Sequence, residues 1–149
     1  MQTEEYQPRQ SVATLSNAMD VGSPSNFVRI LEIFDNKFVD LKEKLESVSI
    51  SDETTAATMR EIYLQCNYIL DPHGAVGFRA LHDYLNTHAE ARGIVLETAH
   101  PVKFDSVNEI IGTQGDIPPG VAELFSKEKV NIEIDNDYGH LKEILIGKI

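Results

Sequence analysis

Residues 93–98 form a short apolar run whose three central side chains, Ile94, Val95 and Leu96, leave neither side of a strand polar. A strand that is apolar on both faces is typical of the middle of a parallel sheet that helices cover above and below. Helical patterns precede and follow this run, and such alternation indicates an α/β layer. We therefore predict an α/β fold in which helices cover a small, largely parallel sheet.

Apolar residues at three- and four-residue spacing predict helices around this run. The first predicted helix follows the cap pair Ser23-Pro24 and continues unbroken through 27–45. The other predicted helices begin at Asp52, Asp71 and Pro101, and near Val121 and Tyr138. Alternating apolar residues predict two further strands, at 47–51 and 130–134.

The patterning divides the chain into three segments. Residues 1–26 are polar and lack apolar periodicity, so we expect an extended or looped N-terminal segment. Residues 27–112 carry the predicted α/β core. The stretch from 112 to 120, which holds three glycines and two prolines, reads as a linker. We expect 113–149 to be a helix-strand-helix extension.

Composition limits the classes of function. The 24 acidic and 13 basic residues give a net charge of −11, which disfavours binding to nucleic acid. The longest apolar stretches are a few residues, far short of the roughly 20 that span a bilayer, so we predict no membrane segment. The acidic start is unlike a signal peptide, and the single cysteine, Cys66, suits a reducing compartment and a buried structural role. We therefore expect a cytoplasmic protein.

The first candidate site lies directly after Leu96, at the carboxyl end of the predicted strand. Ligand-binding loops in open α/β sheets follow the carboxyl ends of strands, and here the chain reads Glu97-Thr98-Ala99-His100-Pro101. The Thr98 hydroxyl can donate or accept a hydrogen bond. The same residues also suit an ordinary turn in which Thr98 caps the next helix.

Two other clusters offer short polar groups beside predicted helix starts. Residues 16–26 combine serines, asparagines and glycine, and residues 71–77 form a helix start built from small side chains. Each is also compatible with a plain capped helix or polar loop. The five histidines show no paired ligand spacing, so we predict no metal site.

Four ordered runs carry a resemblance to a known family. The runs are Ala13-Thr14-Leu15-Ser16-Asn17-Ala18-Met19-Asp20-Val21-Gly22 with Pro24-Ser25-Asn26, Ser51-Asp52-Glu53-Thr54-Thr55, Asp71-Pro72-His73, and Thr98-Ala99-His100-Pro101 with Lys103-Phe104. Over most of 11–112 the sequence thereby resembles the threonine synthase family, pyridoxal-phosphate enzymes of the tryptophan synthase β-like (fold type II) group. The resemblance implies that the chain is a C-terminal portion and part of the large domain of such an enzyme. The family often has a larger residue where Gly74 stands.

The resemblance also implies an activity. Enzymes of this family convert O-phospho-L-homoserine and water into L-threonine and phosphate, by elimination of phosphate followed by addition of water at the β-carbon. Their cofactor is held by a lysine as a Schiff base and acts as an electron sink.

By the same resemblance, five residues receive roles. Thr98 faces the pyridine nitrogen of the cofactor, and Asp20 and Gly22 lie in the segment beside the cofactor. Ser16 and Asn17 belong to the same segment and are assigned to the substrate.

None of the eight lysines stands in the family's Schiff-base motif, and the loop that holds the cofactor phosphate is not recognised either. We therefore assign no catalytic residue here and predict that this chain alone is inactive. The expected partners are the substrate, the remainder of the threonine synthase chain and, through open sheet edges, a second copy. The alternative is a free-standing α/β binding or interaction module without catalysis.

Overall fold

The computed structural model describes residues 5–147, and their regular structure is helical. Seven α-helices occur in this range: α1 (Phe27–Ile33), α2 (Phe38–Lys44), α3 (Asp52–Cys66), α4 (Pro72–Thr87), α5 (Ser106–Ile111), α6 (Pro119–Ala122) and α7 (Tyr138–Leu145). Short 3₁₀ turns cover Asn17–Met19, Pro101–Lys103 and Glu123–Ser126. The chain divides into two compact units, with the boundary between Asp116 and Ile117.

The two longest helices begin as their sequences predict. Ser51 precedes α3, and its hydroxyl accepts a hydrogen bond from the Thr54 backbone N–H at 3.2 Å. Asp71 precedes α4, where Pro72 occupies the first turn at no cost in hydrogen bonding. These contacts satisfy backbone donors that a helix start otherwise leaves unpaired. Both predicted starts are confirmed.

The predicted continuous helix over 27–45 is wrong, because the chain turns between α1 and α2. Asp35 and Asn36 adopt left-handed backbone conformations, with φ of 50° and 57°. The Asn36 N–H donates to the Leu31 carbonyl at 2.8 Å, which closes the end of α1. Asp and Asn tolerate this conformation better than most residues. The apolar pattern in the sequence therefore continues across a turn that these two residues produce between the helices.

The predicted α/β fold is also wrong, since residues 5–147 contain no β-strand. The segments 47–51, 93–98 and 130–134 lack the ladder hydrogen bonds that define a strand. Residues 93–98 keep an alternating pattern, for Ile94 and Leu96 are 88% and 79% exposed while Val95 is half-buried. Periodicity in the sequence predicts which way side chains face, but it does not show whether a neighbouring strand is present to pair with the segment. We expected self-association through open sheet edges. Because the described part of the chain contains no sheet, it offers no such edges.

The core of the first unit lies where α3, α4 and α5 pack together. Its buried apolar side chains are Met59, Ile62, Leu70, Ala75, Phe104 and Val107. Burial of one such large side chain stabilises a fold by about 1.5–3 kcal/mol relative to its exposure. Cys66, which we expected to be buried, is exposed at the end of α3. The core thus fixes the start of α4 against the segment that leads into α5.

The second unit, described here through residue 147, holds α6, a 3₁₀ turn and α7. The Asp137 side chain caps α7 by accepting a hydrogen bond from the His140 N–H at 2.8 Å. Val130 and Ile132 are exposed. Across residues 5–147, no helix has the length and apolar character needed to cross a membrane.

Candidate functional site

The start of α4 holds a network of polar side chains centred on Asp71. Asp71 is 0% exposed, and its two carboxylate oxygens accept the backbone N–H groups of His73 at 2.9 Å and Gly74 at 3.4 Å. One of these oxygens, Oδ1, also contacts the His73 ring nitrogen Nδ1 at 2.9 Å. A buried carboxylate needs such partners to offset its lost hydration. Asp71 therefore both begins α4 and orients the imidazole.

The His73 ring has a defined orientation and one unsatisfied nitrogen. Its side chain is 18% exposed and packs against the Phe104 ring, with 5.0 Å between ring centroids. Because Asp71 Oδ1 accepts at Nδ1, the tautomer that fits this contact carries its proton on Nδ1 and a lone pair on Nε2. Nε2 is buried and has no hydrogen-bond partner among the described residues. Within this part of the chain, it is a polar atom without a protein partner.

Glu97 belongs to the same network of polar side chains. Its carboxylate accepts hydrogen bonds from the Asp71 backbone N–H at 3.2 Å and from the Tyr68 hydroxyl at 2.9 Å. Although Glu97 as a residue is exposed, partial burial of its carboxylate raises its pKa above the usual range, and the nearby Asp71 carboxylate acts in the same direction. The hydrogen bond to Glu97 also raises the pKa of Tyr68.

Gly74 provides the space for this carboxylate. A Cβ atom at position 74 would lie 2.5 Å from Glu97 Oε1 and 3.2 Å from Asp71 Oδ2. A larger residue at position 74 would therefore displace the Glu97 side chain. Gly74 therefore leaves the space that the carboxylate of Glu97, the residue directly before Thr98, occupies.

A compact loop over residues 9–22 carries the other predicted site residues. The Arg9 N–H donates to the Gly22 carbonyl and the Gly22 N–H donates to Ser11 Oγ, both at 3.1 Å. Across the loop, the Thr14 N–H and hydroxyl donate to the two Asp20 carboxylate oxygens, at 2.9 and 2.7 Å. The bond from the Thr14 hydroxyl, followed by that from its N–H, lowers the pKa of Asp20.

This loop approaches the helices of the core. The Leu15 N–H donates to Asp52 Oδ1, at the first turn of α3, at 3.1 Å. The His73 ring makes a smaller electrostatic contribution to the lowered pKa of the Asp20 carboxyl than the two Thr14 hydrogen bonds do. The loop is therefore bonded to the start of α3, 37 positions further along the chain.

The predicted site residues fall into two groups by their surroundings. Asp20 and Gly22 are half-buried and held by the loop's own hydrogen bonds. Ser16 is half-buried, whereas Asn17 and Thr98 are exposed, and within residues 5–147 their side chains make no hydrogen bonds. Thr98 is connected to the start of α4 through its neighbour Glu97, which accepts the Asp71 N–H.

Sequence reasoning missed Tyr68 and gave Glu97 no role. Tyr68 precedes the predicted helix start, and Glu97 was named only as the first residue of the candidate run that contains Thr98. The available signal was charge: Glu97 is an acidic residue within an apolar run, directly before the candidate Thr98.

Comparison with known proteins identifies the chain's relatives. A family model described as "Threonine synthase, C-terminal" matches residues 74–145. The chain is 41% identical to threonine synthase of Serratia marcescens and 40% identical to that of Escherichia coli, in each case over 144 residues. These matches cover 96% of this chain and 33% of each relative, so the chain spans about a third of the length of the curated relatives it matches.

Solved structures agree with these matches. The crystal structure of threonine synthase from Escherichia coli superposes with a TM-score of 0.79 at 39% identity, covering 97% of this chain and 33% of that one. The structure of PLP-bound threonine synthase from Brucella melitensis gives a TM-score of 0.62 at 25% identity, covering 94% and 35%. The chain belongs to the threonine synthase family and corresponds to a C-terminal part of its members.

Proposed function

We propose that this chain forms one wall of a threonine synthase active site, in which O-phospho-L-homoserine and water become L-threonine and phosphate. The observation that carries the proposal is a chain of contacts between three segments of the site. The Asp71 N–H at the start of α4 donates to Glu97 in the 97–98 segment, and the Leu15 N–H of the 9–22 loop donates to Asp52 at the first turn of α3, which packs against α4. The family relationship supplies the reaction that such a wall would serve.

The residues present fit one edge of pyridoxal phosphate. Thr98 presents an exposed hydroxyl that is free of hydrogen bonds within the described range, as a partner for a pyridine nitrogen requires. We propose that Thr98 holds the ring nitrogen and that Asp20 and Gly22 line the cofactor, while Ser16 and Asn17 contact the substrate. When bound, the cofactor withdraws electrons from the substrate carbons.

The lysine that anchors the cofactor is expected outside this chain. No lysine among residues 5–147 takes part in the network around Asp71. Lys103, the lysine closest in sequence to Thr98, is exposed at the end of a 3₁₀ turn. We therefore expect the 149-residue chain alone to be catalytically silent. We propose a cytoplasmic location, which the single cysteine suits.

Two preparations test the proposal. The first is the 149-residue chain alone, mixed with pyridoxal phosphate and reduced with borohydride; we expect no stoichiometric label on a single lysine. The second, called the chimera below, is the Escherichia coli enzyme in which this sequence replaces the matching segment. A single labelled lysine in the isolated chain would contradict the proposed division of roles.

Thr98→Val in the chimera tests the cofactor contact. Valine keeps the side-chain volume and removes the hydroxyl, so we expect the fold to persist while the Kd for pyridoxal phosphate rises about 2- to 10-fold, as the loss of one neutral hydrogen bond implies. Thr113→Val, at an exposed position after α5, is the matched control. Unchanged cofactor affinity and turnover in Thr98→Val would remove Thr98 from the site.

A further inference from the structure

The pairing of Asp71 with His73 leaves a buried imidazole nitrogen ready to accept a proton. Asp71 Oδ1 fixes Nδ1 at 2.9 Å, and Phe104 packs against the ring. Nε2 is buried without a partner among residues 5–147. A carboxylate that orients an imidazole through one nitrogen and leaves the other for a reacting group is the arrangement used in general-base catalysis.

Two carboxylates belong to the hydrogen-bond network of His73. Asp71, at the start of α4, contacts the ring at Nδ1, and Glu97 accepts the Asp71 backbone N–H. Asp20, in the 9–22 loop, is a third acidic group that interacts electrostatically with the ring. The Asp71 contact holds the ring and leaves Nε2 as the nitrogen available to a reacting group.

We propose that His73 Nε2 accepts a proton from the water molecule that the reaction consumes. This role rests on the proposed function. Phosphate elimination leaves a carbon–carbon double bond that includes the β-carbon of the substrate. One O–H bond of water breaks and its proton goes to Nε2, while the oxygen's electron pair forms the new C–O bond at the β-carbon. The π electrons take up a proton from solvent at the neighbouring carbon, and Nε2 then returns its proton to solvent.

His73→Gln in the chimera separates proton acceptance from positioning. Glutamine can still hydrogen-bond but cannot accept a proton, so we expect kcat to fall about 100-fold or more, with KM and the bound-cofactor absorbance near those of the unsubstituted chimera. His82→Gln, at an exposed position on the same helix, is the matched control and should leave all three unchanged.

A readout independent of turnover uses nitrogen-15 NMR of histidine side chains in the 149-residue chain. We expect His73 to carry its proton on Nδ1 at mildly alkaline pH and to lose this tautomer preference in Asp71→Asn. A proton on Nε2 in the unsubstituted chain would overturn the proposal.

The outcomes distinguish a failure of the proposed function from a failure of the role of His73. A folded, cofactor-bound chimera without turnover overturns the proposed function and the His73 step together. An active chimera in which His73→Gln keeps kcat within about threefold overturns the role of His73 alone.

Discussion

At the scale of single residues, Asp71 combines two functions that sequence reasoning treated separately. The pair Asp71-Pro72 predicts a helix start, and that prediction is confirmed by the hydrogen bond from the His73 N–H. The contact with the His73 ring was not predictable, because an imidazole two positions after a cap can point to solvent or back to the carboxylate. Packing of Phe104, which lies beyond α4 in the sequence, holds the ring in the second arrangement.

Glu97 should make the stability of the chain depend on pH. Its pKa is raised by burial and by Asp71, so between its usual value and its raised value the folded chain binds more protons than the unfolded chain. The stability due to Glu97 is therefore present at pH below its usual pKa and is lost as pH rises through the raised one. Glu97→Gln should be more stable than the parent at neutral pH, by less than about 1 kcal/mol because the residue is exposed.

Urea unfolding at several pH values from acid to neutral measures this effect. The difference in unfolding free energy between Glu97→Gln and the parent should grow with pH. Glu90→Gln, at an exposed position after α4, should give a constant difference. A difference that shrinks as pH rises would mean that the carboxylate is favoured in the folded state.

At the scale of elements, helices were predictable and strands were not. Caps and apolar stripes are local, and they locate α3, α4 and α7 from a few neighbouring residues. A strand exists only where a second strand pairs with it, which no local pattern can show. Gly93 to Thr98 therefore has the side-chain alternation of a strand without its hydrogen bonds. Even for helices, the left-handed pair Asp35 and Asn36 ended α1 where the stripe predicted continuation.

The packing of α3 against its neighbours should be strongly sensitive to truncation at Met59. Met59 is 0% exposed in the core, and Met59→Ala should lower the unfolding free energy by about 2–4 kcal/mol through lost burial and a cavity. Leu64→Ala on the same helix, at an 82% exposed position, should change it by less than about 0.5 kcal/mol. Urea unfolding followed by circular dichroism measures both; equal effects would contradict the described core.

At the scale of the whole molecule, the family was recognised from four ordered motifs, and the match over 96% of the chain to known threonine synthases bears this out. The architecture inferred alongside it was wrong for the described residues. Of the candidate site, the capped start of α4 was predictable from Asp71 and Pro72. The bond from Asp71 to Glu97, the neighbour of Thr98, was not, because it depends on Gly74 leaving space for the Glu97 carboxylate. Contacts between residues that are far apart in the sequence depend on packing, which local sequence patterns do not reveal.

The most direct test of the central claim is the turnover of the chimera, in which this sequence replaces the matching segment of the Escherichia coli enzyme, to which it is 40% identical. Release of phosphate and formation of threonine from O-phospho-L-homoserine are measured together. We predict equal amounts of both products from the chimera and none from the 149-residue chain alone. A chimera that folds and binds pyridoxal phosphate but releases neither product would contradict the account.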